Sequence, residues 1–143
     1  MNKYLYHNEG YAIIGASMAV YNELGPGFLE GIYHDALKIE LDLCDIHFES
    51  QKPLVVYYRG HRLDHQYVAD VVCHDRILLE LKATHDIHDA HLAQVLNYLK
   101  ASGLALGYVI NFGNPERLQW QRVLWSDNLN EDELNQCDEA SKQ

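Results

Sequence analysis

The sequence predicts a single α/β domain in which helices flank a mixed β-sheet. Runs of apolar residues at helical spacing alternate along the chain with short runs rich in β-branched and aromatic residues. Their order is two helices, three strands, one helix and two strands, which is typical of a sheet packed between helices. A length of 143 residues suits one hydrophobic core better than two.

Two helices are predicted before the first strand. Apolar residues recur at helical spacing from Tyr11 to Leu24, and the sequence Gly25-Pro26-Gly27 ends this helix. A second amphipathic pattern opens after Gly27 and ends near Cys44-Asp45. The sheet therefore begins only after about the first third of the chain.

The middle of the chain predicts three strands. A short extended piece at Ile46–Glu49 comes first, and the strand-like runs "LVVYYRG", "QYVADVVC" and "ILLELKA" follow Pro53. Only "HDR" separates the last two runs, so they are predicted to form an antiparallel hairpin. This hairpin should lie in the middle of the sheet.

The second half of the chain predicts one helix, two strands and a tail. The helix runs from Asp89 to Ala101 and ends at Ser102-Gly103. The runs "LALGYVINFG" and "LQWQRVLW" predict the last two strands. We expect the domain to span residues 1–125 and an acidic C-terminal tail to span 126–143, with a short, loosely attached helix around Glu131–Gln136.

The composition predicts a soluble cytoplasmic protein. Hydrophobic residues make up 48% and charged residues 22% of the chain, as in ordinary globular domains. No apolar run reaches the roughly 18 residues of a membrane span, and "MNKYLYHNEG" lacks the apolar core of a secretory signal. Cys44, Cys73 and Cys137 show no C-x-x-C spacing, so reduced thiols are expected.

The charge distribution disfavours broad electrostatic attraction to nucleic acid. The formal net charge is −10, and a protein without a basic surface gains little from displacing the counterions of a polyanion. The tail from Ser126 to Gln143 carries about half of that negative charge. The rest of the domain is only mildly acidic.

Charged residues interrupt both strands of the predicted hairpin. Glu80 and Lys82 alternate with apolar residues and therefore share one face of their strand. Asp70 shares its predicted face with Val68 and Val72. A three-residue loop of His74, Asp75 and Arg76 would place Asp70 opposite Glu80, whereas a two-residue loop would point the carboxylates to opposite sides.

A divalent cation would make two facing carboxylates stable. Like charges directly across a strand pair repel each other, and Mg²⁺ is commonly held by one or two carboxylates together with substrate phosphate. Lys82 would lie near such a metal, where it could orient or deprotonate a water and offset developing negative charge. The pattern predicts metal-dependent phosphodiester hydrolysis, with Mg²⁺ as the cofactor and Mn²⁺ as an alternative.

The arrangement Asp70-x9-Glu80-x-Lys82 resembles the core of the PD-(D/E)xK nuclease superfamily, whose restriction-endonuclease-like fold is a mixed sheet flanked by helices. Ala69 stands where the superfamily name has proline. Within "ELGPGFLEGIYHDAL", Gly27-x-x-Glu30-x-x-Tyr33 is similar to the signature of the GxxExxY protein family, a branch of that superfamily. Further matches cover about 15–125 and include "QKPLVVYYRG", "YVADVV", "LLELKA", "AQVLNYLKASG" and "GYVINFG".

The resemblance implies a role for each matched residue. Asp70 and Glu80 would bind the metal, and Lys82 would be the catalytic lysine. Glu30 would be an auxiliary carboxylate on a helix. Gln94 and Tyr98 match a Q-x-x-x-Y pattern, and Gln94 is expected to support the site or bind substrate. The implied substrate is DNA or RNA.

Several residues have simpler interpretations. Tyr33 and Tyr98 are expected to be core tyrosines with hydrogen-bonded hydroxyls, and Gly27 to serve backbone geometry. The "HDIHDAH" segment suggests a metal site, but His85, His88 and His91 lack the four-residue spacing of H-E-x-x-H. They are expected to open and cap a helix, where His88 and His91 could line a substrate path. Three arginines are expected to be solvated, namely Arg59, Arg62 and Arg76.

Two other functions fit the same residues. The chain could be a non-catalytic binding or interaction module that retains the nuclease fold, which its acidic surface would suit. It could also hydrolyse a small phosphorylated molecule, because a small substrate needs no basic groove. The sequence leaves both alternatives open, and it is compatible with a homo-oligomer.

Overall fold

A five-stranded mixed sheet lies between two helical layers in the computed structural model, which describes residues 5–141. The helices are α1 His7–Leu24, α2 Glu30–Leu43, α3 Asp89–Ser102 and α4 Glu131–Ser141, with a 3₁₀ turn at Ser126–Asn128. The strands are β1 Phe48–Leu54, β2 Tyr57–Tyr58, β3 His61–Arg62, β4 Tyr67–Cys73, β5 Ile77–Lys82, β6 Leu106–Asn111 and β7 Gln119–Leu124.

The strand order of the sheet is β1-β4-β5-β6-β7. Every neighbouring pair is antiparallel except β5 and β6, which are parallel and are joined through α3. Strands β5 and β6 are buried along nearly their whole length, as expected for central strands covered on both faces. The fold is an α/β domain of the restriction-endonuclease-like type, as the sequence predicted.

Two hydrophobic cores hold the helices against the sheet. Helices α1 and α2 pack on one face, where β4 and β5 contribute Val71, Leu79 and Leu81. Helix α3 covers the other face and buries Val95 and Leu99 against further residues of the sheet. On that face the buried sheet residues are Leu54, Ala69, Val72, Leu78 and Val109.

The strand predicted at "LVVYYRG" is wrong. The edge strand β1 lies earlier in the chain and includes Pro53, which an edge strand tolerates because one side of its backbone needs no partner. After β1 the chain forms a separate hairpin of β2 and β3. Its two turn residues, Arg59 and Gly60, have φ values of 49° and 78°, as a tight hairpin turn of type I′ requires. The Arg-Gly pair is therefore the centre of a hairpin, not the end of a strand.

The chain after Trp125 returns to the domain. The Asn128 side chain donates hydrogen bonds to the carbonyls of Leu99 and Leu104, at 2.8 and 3.0 Å. The Tyr6 hydroxyl donates to Glu133 Oε2 at 2.8 Å, and Glu133 is buried. Helix α4 is longer than predicted, and its first turn is attached, contrary to the loose attachment expected from its composition. Among residues 5–141 no helix has the length and apolar character to cross a bilayer.

Gly113 follows β6 and touches the chain segment after β5. A Cβ atom at this position would lie 2.3 Å from the Thr84 carbonyl oxygen and 2.6 Å from the carbonyl carbon of Ala83. Both are backbone atoms that cannot move aside cheaply, so we expect Gly113→Ala to lower the free energy of unfolding by about 3 kcal/mol. Urea denaturation measures this change.

Gly15→Ala is the matched control for that substitution. Gly15 lies in α1, and a Cβ atom there would meet no atom within 4 Å. Alanine in an open helical position is expected to raise stability by about 0.5–1 kcal/mol. Similar stabilities for the two variants would contradict the close contact at Gly113.

Candidate active site

The register of the β4–β5 hairpin determines where the predicted carboxylates lie. Val71 pairs with Leu79 and Cys73 with Ile77, which leaves a loop of three residues, 74–76. This is the longer of the two loops that the sequence allowed. Extending the register by one position places Asp70 opposite Glu80.

The two strands separate just beyond Val71. No paired position is present between Asp70 and Glu80, and the Asp70 side chain instead accepts a hydrogen bond from the backbone N–H of Leu81, at 2.8 Å. The carboxylate thus takes the place of a backbone partner between the strands. This contact holds Asp70 next to β5 at the end of the strand that carries Glu80 and Lys82.

On its other side, Asp70 faces a distorted position of β1. Ser50 pairs with Val71 and Lys52 with Ala69, but the intervening Gln51 has a left-handed φ of 54° and no paired position with Asp70. Left-handed backbone in a residue other than glycine costs of the order of 1–3 kcal/mol and is common at functional sites.

The regular alternation predicted for β4 is wrong at Asp70. Val72 packs in the core under α3, but so does Ala69, whereas Val68 is 42% exposed. Between Val72 and Ala69 the side chains of β4 that face α3 therefore change from even-numbered to odd-numbered positions. The physical reason is the left-handed Gln51, which interrupts the pairing of β1 with β4. Asp70 does not share a regular face with Val68 and Val72.

Glu80 is a carboxylate in the core, with 5% of its surface exposed. Burial, followed by the charge of nearby Asp70, raises the pKa of Glu80 to about 7. The Tyr67 hydroxyl donates a hydrogen bond to Glu80 Oε1. Burial and this bond raise the pKa of Tyr67 far above its ordinary value, so the hydroxyl stays protonated as a donor. Sequence reasoning did not identify Tyr67.

A stacked pair of tyrosines supports this contact. The rings of Tyr67 and Tyr98 stack with an interplanar angle of 15°. Tyr98 lies on α3, and its hydroxyl also interacts with Gln94 one turn away. The predicted Q-x-x-x-Y pair thus faces the sheet at the site, and Tyr98 is a hydrogen-bonded tyrosine, as expected.

Lys82 lies at the last position of β5 and reaches towards α3. Its ammonium group donates a hydrogen bond to Gln94 Oε1, at 3.2 Å. The positive charge of Lys82 acts to lower the pKa of both Glu80 and Glu30. Lys82 is therefore the cationic group of a cluster that holds three carboxylates, those of Glu30, Asp70 and Glu80.

Glu30 enters the cluster from the first turn of α2. Burial, and then the charge of Asp70, raises the pKa of Glu30. The loop before it depends on Gly27, whose φ of 109° favours glycine, and on Tyr33, whose hydroxyl donates to the Gly25 carbonyl at 2.6 Å. The same hydroxyl accepts from the Phe28 N–H at 3.2 Å. The structural roles predicted for Gly27 and Tyr33 are confirmed.

A buried amide fixes the segment that follows Lys82. Asn111 is fully buried, its Oδ1 accepts from the Thr84 N–H at 2.9 Å, and its Nδ2 donates to the Thr84 carbonyl at 2.9 Å. Nδ2 also donates to Gln119 Oε1, and Gln119 in turn donates to Asp86. A fully satisfied polar network of this kind rigidifies its surroundings. The strand patterns did not reveal it.

The three histidines of "HDIHDAH" do not converge on one point, since His88 contacts His91 and His85 contacts Asp86. The backbone N–H of His88 donates to His91 Nδ1 at 3.1 Å, so these two residues cap α3, as expected. His85 contacts Asp86 at 2.6 Å. Burial, followed by the charge of Lys82, lowers the pKa of His91. In the described part of the chain, no group of three or more His, Cys, Asp or Glu side chains is arranged as a metal site.

Asp70 and Glu80 nevertheless suit a hard divalent cation. They provide oxygen ligands, and the repulsion that contributes to the raised pKa of Glu80 is what a cation between them would remove. Two carboxylates are enough for Mg²⁺, which keeps several waters and takes further oxygens from its substrate.

The fold and this cluster define a class of protein. A restriction-endonuclease-like sheet that carries Asp70 and Glu80 on adjacent strands, with Lys82 two residues beyond, has the architecture of a nuclease domain. The model of the PD-(D/E)XK nuclease superfamily matches residues 7–123, most of the chain. The chain belongs to the PD-(D/E)XK nuclease superfamily.

A solved structure supports the fold. The crystal structure of SSO0001 is similar to this chain with a TM-score of 0.55 and 17% sequence identity. The similarity covers 78% of this chain and 57% of SSO0001, so the chain spans little more than half of that protein's length. No curated protein matches the sequence.

Proposed function

We propose that this protein is a metal-dependent nuclease of the GxxExxY branch that hydrolyses phosphodiester bonds in DNA or RNA. The observation that carries the proposal is the convergence of Asp70, Glu80 and Lys82 where β4 and β5 separate. Glu80 is buried and Asp70 beside it is half-buried, and two carboxylates that repel each other there are costly for a structural element and typical of a functional site.

Asp70 and Glu80 would hold the metal, for which Mg²⁺ is proposed and Mn²⁺ is the alternative. When bound, the metal supplies a Lewis acid for the phosphate and lowers the pKa of a water. The protein contributes orientation, since the Leu81 N–H fixes Asp70 and the Tyr67 hydroxyl fixes Glu80. Groups that orient metal ligands in this way are important for affinity and activity.

Lys82 would place a positive charge beside the scissile phosphate. Gln94 holds the ammonium group, and the positive charge offsets negative charge that develops on the phosphate oxygens. Glu30, within electrostatic reach of both Asp70 and Lys82, would support the site as a third carboxylate.

Incubation of the purified protein with DNA, RNA and a small phosphodiester tests the proposal. Single- and double-stranded polymers are used, each with Mg²⁺, with Mn²⁺ and with a chelator. Cleavage of polymers that the chelator abolishes supports the nuclease. Turnover of the small phosphodiester alone would favour hydrolysis of a small molecule, which the net charge of −10 suits. Binding without any turnover would identify a non-catalytic module.

Tyr67→Phe is expected to reduce cleavage by about 10–100-fold, because Glu80 loses the donor that orients it. The substitution keeps the ring and therefore the stacking on Tyr98. Steady-state cleavage at several Mg²⁺ concentrations measures the loss and shows whether metal affinity falls with it.

The control for this substitution is Tyr11→Phe. Tyr11 lies on α1 and is largely exposed, so removal of its hydroxyl should leave cleavage unchanged. Equal activity of the Tyr67 and Tyr11 variants would show that the Tyr67–Glu80 contact has no part in the reaction.

A further inference from the structure

The β2–β3 hairpin is a short antiparallel pair whose strands and turn are exposed. Tyr57 pairs with Arg62 and Tyr58 with His61. The Leu63 N–H extends the pairing with a 2.9 Å hydrogen bond to the Val56 carbonyl. We call residues 56–63 the tyrosine hairpin. The two-residue turn of type I′ fixes its shape, so its side chains are presented in a defined arrangement.

Two adjacent aromatic side chains of the tyrosine hairpin face solvent. Tyr57 and Tyr58 are 63% and 62% exposed. Neighbouring residues of a strand point to opposite faces, so each face of the hairpin carries one tyrosine. Each exposed ring offers a face on which an unpaired base can stack, with little dependence on sequence.

Each tyrosine has a cationic neighbour. Arg62 is opposite Tyr57 in the register and therefore shares its face, and the Arg59 guanidinium lies 5.8 Å from the centre of the Tyr58 ring. Residues 56–63 contain Arg59 and Arg62 and no Asp or Glu, although the whole chain has a net charge of −10. The hairpin is thus a local basic site on an acidic protein, and it is complementary to phosphate.

The hairpin leaves the sheet at the end that carries the candidate active site. The hairpin follows β1, which ends at Leu54, and precedes β4, which begins at Tyr67. Leu54 pairs with Tyr67. Tyr67 is the residue whose hydroxyl contacts Glu80. Arg62 and Tyr67 are five positions apart in the chain, so their Cα atoms can be no more than about 18 Å apart. The hairpin is therefore within reach of a nucleic acid strand bound at Glu80 and Asp70.

We propose that the tyrosine hairpin binds single-stranded nucleic acid, with bases stacked on Tyr57 and Tyr58 and phosphates bound by Arg59 and Arg62. This inference rests on the proposed nuclease function for the identity of the polymer, and it defines the substrate class as unpaired strands. Duplex bases are stacked on each other and offer no free face to the tyrosines. The hairpin would also give an acidic protein a local electrostatic attraction for a polyanion, because the two arginines lie near the candidate active site, where the polyanion has to bind.

Fluorescence anisotropy with a labelled oligothymidine of about 16 nucleotides tests the hairpin. The full chain is used in the presence of a chelator, so binding is measured without cleavage. We expect the wild-type protein to bind the single strand more tightly than a duplex of the same length. Tyr57→Ala and Tyr58→Ala should each weaken single-strand binding about tenfold. Tyr57→Phe and Tyr58→Phe, which keep the rings, should bind like the wild-type protein.

The arginines are tested by the salt dependence of binding. The double variant Arg59→Ala/Arg62→Ala should reduce the slope of log affinity against log salt by about 1.4, because two phosphate contacts are lost. Tyr11→Ala, at an exposed position of α1, should change neither affinity nor slope. All of these side chains are exposed, so circular dichroism should show unchanged folding.

The results separate the hairpin from the nuclease. Absence of single-strand binding, equal binding of duplex, or wild-type affinity of the tyrosine-to-alanine variants would overturn the hairpin proposal, even if the protein cleaves DNA. Binding that depends on the hairpin without cleavage under any metal would support the hairpin and reject the nuclease. Hairpin variants should hydrolyse a small phosphodiester at the wild-type rate, because that substrate does not reach the tyrosines.

Discussion

Asp70→Asn is expected to reduce phosphodiester hydrolysis at least about a thousandfold, because the neutral amide removes a charge from the proposed metal site. Asparagine can still accept the hydrogen bond from the Leu81 N–H, so the local backbone should be preserved. Isothermal titration with Mg²⁺ or Mn²⁺ should show loss of binding together with loss of cleavage. The matched control is Asp42→Asn, at an exposed position of α2, which should leave both unchanged.

The stability of the Asp70 variant separates a functional effect from unfolding. Asp70 contributes to the raised pKa of Glu80 and therefore repels it when both are charged. Removing that charge should leave the melting temperature equal or higher in the absence of metal. Retained cleavage by Asp70→Asn would exclude Asp70 as a metal ligand, and a large loss of stability would indicate a structural role instead.

Lys82→Ala is expected to reduce cleavage by about a hundred- to thousandfold while divalent metal still binds. The positive charge of Lys82 acts on Glu80 and Glu30, but the ammonium group donates its hydrogen bond to Gln94, so its loss removes a cation without removing a ligand. Metal affinity should therefore be unchanged or greater. Single-turnover cleavage at saturating Mg²⁺ measures the loss.

Lys82→Arg should not restore full activity, since a planar guanidinium cannot replace a compact ammonium group at one fixed point. Lys38→Ala, on α2, is the control for loss of a lysine. If Lys82→Ala cleaves like the wild-type protein, the lysine has no catalytic part. Parallel loss of metal binding and cleavage would instead show that Lys82 organises the site rather than the reaction.

The central part of the fold was predictable from the sequence because single elements carry their own signal. The apolar run of β5 and the turn before it define a hairpin, and the stripe on α3 defines a helix that must cover the sheet. The three-residue loop after Cys73 was one of two alternatives, and the choice between them required the register. Asp70, Glu80 and Lys82 could be proposed as site residues from the sequence because charges stand out in apolar strands.

The remaining parts depend on contacts that no local pattern records. Regular alternation along β4 would point Tyr67 to the face of the sheet opposite Glu80. The left-handed Gln51 on β1 explains why the side chains of β4 change faces between Val72 and Ala69, which brings Tyr67 to the side of Glu80. Tyr67 was therefore missed. The network around Asn111 joins residues far apart in the chain, and a single asparagine at the end of a strand gives no sign of it.

The exchange of faces at Gln51 also concerns how the molecule unfolds. On one side of Gln51, the β1–β4 pair contributes Phe48 and Cys73 to the core under α1 and α2. On the other side of Gln51, the same pair contributes Leu54 and Ala69 to the core under α3. One continuous strand pair thus belongs to both hydrophobic cores. Because the same strand pair belongs to both cores, unfolding of either core would remove residues from the other. We therefore expect both cores to unfold in one cooperative transition.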